Sequence, residues 1–297
     1  MTSSSPSVFR HALVIGNPIA GAGRGERSAR GLSEGLRARG LEVELHLTAG
    51  RGDATRRVRG RAREVDLLVS VGGDGTLREV LDGVGDESVP VGILPMGTAN
   101  VLSLDLKLPR DVAGALELLA RGRTQAIDVA RVNGSLGFLV TGVGLDAAVV
   151  EELERRRSGP ISKSSYVWAA LSALRGYATP ELTLELDGQR AAGPVGAVLV
   201  SNIVHYGGVF RLDAGRRLDD GLYEVYLFRD ARLLPMAFAA LRGFFSHLPG
   251  GSCEMRRARR VRITSPVPVP YHVDGDFGGH TPLDFEVSAT RRRILIP

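Results

Sequence analysis

One cysteine, Cys253, is the whole thiol content of this 297-residue chain. A lone thiol excludes an intrachain disulfide and a cysteine-built zinc site, and it fits a reducing compartment. Aromatic residues are scarce at 5% and never interleave with basic ones, which argues against a stacking platform for nucleic acid. No apolar run approaches the ~20 residues of a membrane span. The earliest, Ala12-Leu13-Val14-Ile15, is too short for a signal segment and stops at Gly16-Asn17-Pro18. These absences predict a cytoplasmic protein. Lysine is nearly missing too, present only as Lys107 and Lys163, so arginine carries the net charge of +5. Arginine runs at 155–157, 256–260 and 291–293 read as solvated faces, with contact to an anionic surface as the sharper alternative. What remains is a globular composition, 43% hydrophobic and 24% charged, in a chain long enough for two domains.

The most informative stretch is Asp66–Leu77. An apolar run of the kind that is buried on both faces, Leu67-Leu68-Val69-Ser70-Val71, leads into Gly72-Gly73-Asp74-Gly75-Thr76. Glycines at this density let a ligand approach the main chain. Thr76 reads as a helix N-cap, with Glu79 completing a capping box. Strand, glycine turn and helix N-terminus together form an anion cradle, which implies phosphate binding at the carboxyl end of a parallel strand. A tight turn without a ligand is the plain alternative, but it has no use for Asp74 among glycines.

Similar units flank this one. His11–Gly16 is predicted as a strand entering the turn Asn17–Gly25, followed by a helix to Arg39. Leu41–Leu47 is a strand that leads through Thr48 to another helix. Val89–Leu94 is a strand ending in Pro95-Met96-Gly97-Thr98-Ala99-Asn100, and Asp111–Ala120 is an amphipathic helix. Alternation of this kind means a doubly wound parallel α/β domain, assigned to 1–127. After it come a hairpin through Asn133-Gly134 and helices over Ala147–Arg157, Tyr166–Tyr177 and Leu233–Phe245. Strands are predicted at Leu182–Leu186, Gly196–Ser201, Leu222–Phe228, Arg260–Ser265, Tyr271–Val273, Leu283–Val287 and Arg293–Ile296. Residues 128–287 are therefore expected to form a β-rich sandwich or barrel, with 288–297 a terminal strand that could return to the first domain.

Asn17-Pro18 with Gly21, Gly72-Gly73-Asp74-Gly75-Thr76, Gly97-Thr98-Ala99-Asn100, Asp219-Asp220-Gly221 and Asp274-Gly275-Asp276 occur in this order over almost the whole chain. The set closely resembles the diacylglycerol-kinase catalytic-domain family, whose members include bacterial lipid kinases and sphingosine and ceramide kinases. The resemblance implies a nucleotide-binding α/β domain like that of NAD kinases and phosphofructokinases, a β-rich lipid-holding domain, and transfer from Mg-ATP in the cleft between them. Asn133-Gly134-Ser135-Leu136-Gly137-Phe138-Leu139 imitates a second NAD-kinase motif but lies too far along the chain for that family.

Roles follow from residue chemistry and from the resemblance. An anionic Asp74 can meet phosphate only through Mg²⁺ or water, and the family places it in the Mg-ATP network. Gly72, Gly73, Gly75 and Thr76 would cradle phosphates, joined by Gly97, Thr98 and Asn100 at the second turn. Asn17, Thr48 and Asp276 match further nucleotide positions. Asp274 is the expected catalytic base, taking the proton of an attacking lipid hydroxyl; a simple turn is the alternative reading of Asp-Gly-Asp. The resemblance makes Asp219 and Asp220, with the Leu222 backbone, a Mg²⁺ site of hard oxygens. Asp146 matches an acidic family position of unassigned role, and the six histidines read as ordinary surface or core residues.

The chain departs from the family pattern at Ala20, Arg78, Asp276, Ala214 and Arg216, which bears on substrate preference and metal affinity. Tyr166–Leu171 and Leu234–Phe245 offer apolar surface for an acyl chain or for the core. The expected partner is a lipid at a membrane surface, met peripherally, and not nucleic acid; an uncovered sheet edge could also pair two copies in a homodimer. A soluble substrate (NAD or a sugar phosphate) and a non-catalytic nucleotide or lipid sensor stand as the alternatives.

Overall fold

A computed structural model describes residues 9–85, 88–155, 177, 179–206, 210–212, 215–231, 246–251 and 253–297. The segments 166–171 and 234–245, read above as apolar surface, lie outside the described residues, as do Ala214, Arg156, Arg157 and, apart from Tyr177, the helices expected over Tyr166–Tyr177 and Leu233–Phe245. Two compact units emerge, residues 1–127 with 290–297 and residues 128–289.

The first unit runs β1 (His11–Gly16), α1 (Ala20–Gly23), α2 (Gly25–Arg37), β2 (Glu42–Leu47), α3 (Asp53–Arg61), β3 (Leu67–Gly72), α4 (Asp74–Val84), β4 (Val91–Pro95), α5 (Val101–Asp105), α6 (Val112–Arg121) and β5 (Thr124–Ile127). Its six-stranded sheet has the order β2-β1-β3-β4-β20-β5, where β20 is Arg292–Leu295. Every residue of β3 and β4 is buried, as their unbroken apolar sequence requires of strands covered on both faces. The longer helices bury one stripe each; in α2 it includes Ala29, Leu32, Ser33 and Leu36. Asp111 caps α6, its Oδ1 accepting from Gly114 N–H at 2.8 Å, and Gly122 ends it with φ 64°.

The sheet is mixed where alternation predicted a parallel one. β20 lies parallel to β4 and antiparallel to β5. The C-terminal segment takes the place beside β4, and Arg292 is buried there, its Nε donating to the Leu81 carbonyl at 3.0 Å.

The predicted capping box also gives way to a tertiary arrangement. Helix α4 starts at Asp74 with Gly73 as N-cap, so Thr76 lies inside the first turn and makes no cap bond. Its Oγ1 accepts instead from Asn17 Nδ2 at 3.3 Å. Glu79 reaches a different helix, accepting from Gly52 N–H at 2.7 Å and Ala54 N–H at 3.1 Å. Gly52, the left-handed N-cap of α3, has no side chain to satisfy those donors. Glu79→Ala is therefore expected to cost about 2 kcal/mol, seen as a lower denaturation midpoint at constant m-value. An unchanged midpoint would mean that solvent caps α3 equally well.

The second unit holds β6 (Ala130–Val132), β7 (Ser135–Gly137), β8 (Val140–Val143), α7 (Leu145–Arg155), β9 (Thr183–Leu186), β10 (Gln189–Arg190), β11 (Ala197–Ser201), β12 (His205–Tyr206) and β13 (Phe210–Arg211). It continues with β14 (Tyr223–Phe228), β15 (Cys253–Ala258), β16 (Arg260–Thr264), β17 (Pro270–Val273), β18 (Asp276–His280) and β19 (Leu283–Val287). Two six-stranded antiparallel sheets result, β10-β9-β16-β19-β6-β7 and β15-β14-β11-β8-β17-β18. They bury Leu184, Ile263 and Phe285 of one against Val198, Val225 and Tyr271 of the other. This is the sandwich that alternation in Leu283–Val287 announces, with Leu283, Phe285 and Val287 inward and Asp284 and Glu286 outward.

The run Arg256–Arg260 spans strand β15 and the step into β16, and two of its arginines pair closely with acids, Arg257 with Glu224 at 3.3 Å and Arg260 with Glu286 at 2.9 Å. Cys253 is buried, and burial pushes its thiol up to about 12, which makes it a poor nucleophile at neutral pH.

Candidate active site

In the first unit, strands β1 to β4 run parallel, so their carboxyl ends and the turns that follow them share one edge of the sheet. Asn17, Thr48, Gly72 and the 97–100 turn all occupy that edge. Backbone bonds knit the turns to one another: Asn17 N–H donates to the Val71 carbonyl at 2.9 Å, Thr48 N–H to Gly16 at 2.9 Å, and Met96 N–H to Gly72 at 2.7 Å. Thr48 stands between His46 and Asp53. The Asp53 carboxylate accepts from Ala49 N–H at 2.9 Å and pairs with His46 at 3.0 Å, and these contacts hold it below the usual carboxylate range.

The two glycine turns touch. A Cβ on Gly97 would lie 2.6 Å from Gly73 Cα and 2.8 Å from Asn100 Oδ1, so main chain meets main chain without room for a methyl group. Asn100, at φ 48°, closes its own turn by accepting from Gly97 N–H at 2.8 Å and donating to the Gly97 carbonyl at 2.7 Å. The Asp74 carboxylate accepts from Val101 N–H at 3.1 Å and so binds the two turns together. Gly75 and Thr98 are exposed beside it. Asp74, Gly75 and Thr76 form the first turn of α4, where N–H groups lack helical partners and the helix dipole is positive. Nine of the expected nucleotide residues are thus gathered on one edge, and Asp276 belongs to the second unit.

In that unit Asp274 and Gly275 are the two-residue tip of the β17–β18 hairpin, with φ of 54° and 86°, the pattern of a type I′ turn. The turn reading of Asp-Gly-Asp is thus correct as geometry, and the side chain does more. Its Oδ1 accepts from Leu139 N–H at 2.9 Å and Val140 N–H at 3.0 Å, and its Oδ2 from Phe138 N–H at 3.1 Å. Asp274 N–H also donates to the Val140 carbonyl at 2.7 Å. The carboxylate is held in one orientation by the chain entering β8. Asp276 starts β18 opposite Val273.

The acidic loop is built around a residue the sequence did not single out. Asp128, 1% exposed, accepts from Gly221 N–H through Oδ2 at 2.6 Å, and its own N–H donates to Leu218 at 2.6 Å. Asn202 and Tyr223 both donate to its carbonyl. Asp219 faces Arg217 at 3.5 Å, and Asp220 Oδ1 accepts from Leu222 N–H at 3.1 Å. Two adjacent carboxylates and a nearby backbone carbonyl are hard oxygen donors and fit Mg²⁺, which keeps several waters of its own. Among the described residues no three His, Cys, Asp or Glu side chains converge as an all-protein cage.

Next to this loop Glu224 is 2% exposed, with Oε2 lacking a hydrogen-bond partner. Burial raises its carboxyl from an ordinary 4.5 to about 7, against the pull of Arg257. A raised native value means that the folded state binds more protons between those limits. The contribution of this one group to stability is then greatest below pH 4.5 and declines as pH rises to about 7, by on the order of 3 kcal/mol. Glu224→Gln should flatten this part of the stability–pH curve; an unchanged slope would assign the decline to other groups.

His272, one of the histidines the sequence presents as ordinary surface or core residues, is 1% exposed and has both ring nitrogens engaged. Its Nε2 meets Asp146 Oδ2 at 2.6 Å, and its Nδ1 accepts from Gly275 N–H at 3.3 Å. Tyr206 donates to the same Asp146 oxygen. Burial would raise the Asp146 carboxyl, but His272 and Tyr206 outweigh it and leave the group below its ordinary value. The signal was available: alternation from the core residues Tyr271 and Val273 turns His272 to the opposite face of β17.

A mixed sheet with glycine turns at its parallel strand ends, followed by an antiparallel sandwich, is the two-unit fold of a kinase family. The chain belongs to the diacylglycerol-kinase catalytic-domain family. Residues 11–132 match the diacylglycerol kinase catalytic domain, and residues 139–296 match the YegS C-terminal NAD kinase beta sandwich-like domain. A diacylglycerol kinase of Bacillus subtilis (strain 168) is 27% identical over 97% of both chains. One of Staphylococcus carnosus (strain TM300) is 26% identical over 93% of this chain and 92% of its own. The crystal structure of a diacylglycerol kinase from Bacillus anthracis str. Sterne shares the fold, with a TM-score of 0.75 at 23% identity over 98% of both chains.

Proposed function

We propose that this protein transfers the γ-phosphoryl group of Mg-ATP to a hydroxyl of diacylglycerol or a closely related lipid. The observation that carries the reading is the apposition of Gly73 and Gly97 beside Asp74, a main-chain cradle for a phosphate chain in a member of a lipid-kinase family. N–H groups at Gly73, Gly75 and Thr76 bind the phosphates, with Thr98, Asn100, Asn17 and Thr48 completing the nucleotide's surroundings on that edge of the first unit. Asp219, Asp220 and the Leu222 carbonyl would hold Mg²⁺, which would offset phosphate charge, and Asp74 would address the same charge through water.

In the transfer the lipid oxygen forms a bond to the γ-phosphorus while the bond from that phosphorus to the β,γ-bridging oxygen breaks, releasing ADP. The hydroxyl proton passes to the Asp274 carboxylate, which three N–H donors keep aimed. Among the described residues no helix is long and apolar enough to cross a membrane; in the proposed reaction the lipid is met at the membrane surface.

The test offers purified protein Mg-ATP with diacylglycerol in mixed micelles, with NAD and with a sugar phosphate in parallel. Formation of phosphatidic acid, abolished by chelating the divalent cation, is expected. Phosphorylation of NAD or the sugar phosphate alone would overturn the lipid assignment, and bound nucleotide without any turnover would favour a sensor.

A further inference from the structure

The hydrogen-bond chain Tyr206–Asp146–His272–Gly275 ends in the turn that carries Asp274. We propose that His272, oriented by Asp146, is a positioning residue that locks the Asp274–Gly275 turn in its reactive geometry; this rests on the kinase reading above.

The turn needs such a lock. Asp274 sits at φ 54°, a region that L-residues enter at a cost, and Gly275 is freer still. Asp274 is fixed from the β8 side, by its own N–H on Val140 and by its carboxylate on Phe138, Leu139 and Val140. The Gly275 amide is the other handle, and His272 Nδ1 takes it.

Because Nδ1 accepts, it carries no proton, and Nε2–H must be the donor to Asp146: the ring is neutral and held as one tautomer. Asp146 stands in the first turn of α7, so the lock ties the hairpin tip to a helix packed against β17. The neighbouring strand leaves room for the pair. Gly142 faces His272 across the β8–β17 ladder, and a Cβ there would collide with His272 Nε2 and lie 2.7 Å from Asp146 Oδ2.

A merely structural His–Asp pair would affect folding and leave turnover per folded molecule alone. Three variants of the full chain separate the two roles. His272→Leu removes both ring contacts, His272→Asn keeps an acceptor at the Nδ1 position, and Gly142→Ala displaces the pair without deleting a polar group. For His272→Leu, kcat is expected to fall about 100-fold, the scale of a misplaced reacting group, with KM for nucleotide and lipid nearly unchanged. His272→Asn should recover much of that loss, and Gly142→Ala should lower kcat although every polar group is retained, which keeps the test alive should His272→Leu fail to fold.

Equal kcat losses in His272→Leu and His272→Asn, or wild-type kcat in His272→Leu, would overturn the proposal. Nitrogen-15 NMR of labelled histidine in the wild type should show the Nε2–H tautomer at position 272. The Nδ1–H form there would overturn the lock whatever the activity. A wild type that phosphorylates no acceptor while showing the Nε2–H tautomer would overturn the kinase reading, and with it the base to be positioned, but leave the geometry of the lock standing.

Discussion

Asp274→Asn is expected to lower kcat by about 10²- to 10⁴-fold, the range that positioned proton transfer supplies. The substitution removes charge and basicity while keeping size, at the cost of turning an amide donor toward the Phe138 N–H that Oδ2 accepts from in the wild type. Asparagine tolerates the φ of 54° that Asp274 adopts, and its amide oxygen can still accept from Leu139 and Val140, which both donate to Oδ1. The charge-assisted bonds become neutral ones, so a stability loss of about 1 kcal/mol should accompany the kinetic one. Nucleotide affinity should hold, because the cradle residues of the first unit are untouched. Asp274→Ala would lose the strap and the turn preference as well, and is the less informative variant. Retention of wild-type kcat in Asp274→Asn would remove this residue as the base.

The second large effect is on the cradle. Gly97→Ala places a methyl group 2.6 Å from Gly73 Cα and 2.8 Å from Asn100 Oδ1, and the first of these is backbone that cannot swing aside. The two turns must separate, which strains the Met96–Gly72 bond of 2.7 Å. A stability loss of about 1–3 kcal/mol is expected from overpacking, together with near-complete loss of nucleotide binding. Gly75→Ala supplies the contrast. A Cβ there meets nothing within 4 Å, and the residue is exposed in the first turn of α4. The variant should be as stable as wild type or slightly more so, since alanine favours helix. It should nonetheless bind nucleotide about tenfold more weakly, the worth of one phosphate contact kept at a distance. Calorimetric titration with Mg-ATP beside thermal unfolding separates the two effects. Equal affinity in Gly75→Ala and wild type would deny the α4 turn its phosphate role.

These variants act on parts of the molecule that differ in how openly the sequence displays them. Strands β1, β3 and β4 are continuous apolar runs ending in glycine turns, so local pattern alone reveals both the strands and the edge where a ligand would sit. Strand β20 is expected from sequence as a terminal strand that could return to the first domain, but its exact place is not legible, because it is set by Ile294 pairing with Val91, some two hundred residues earlier in the chain. Strand β15 is hidden by its own residues. Glu254, Arg256 and Arg257 give it no apolar face, and it is held as an edge strand by its ladder to β14. Glu79 shows how a local motif yields to tertiary demand: Thr76 and Glu79 have capping-box spacing, but the uncapped α3 lies within reach and its orphan N–H groups take the carboxylate. The Asp274-Gly275 turn was legible, whereas the three N–H groups it collects are not, since they come from residues some 135 positions away. Asp128 is not legible because a buried polar residue declares itself only through its partners, whereas the place of His272 between the core residues Tyr271 and Val273 does mark its face of β17.

The most direct test of the central claim is transfer of labelled γ-phosphate from Mg-ATP into a total lipid extract presented in mixed micelles. The account predicts a labelled lipid with the mobility of a phosphorylated diacylglycerol or near relative, absent when the divalent cation is chelated. Nucleotide bound with ordinary affinity but no lipid labelled would contradict it.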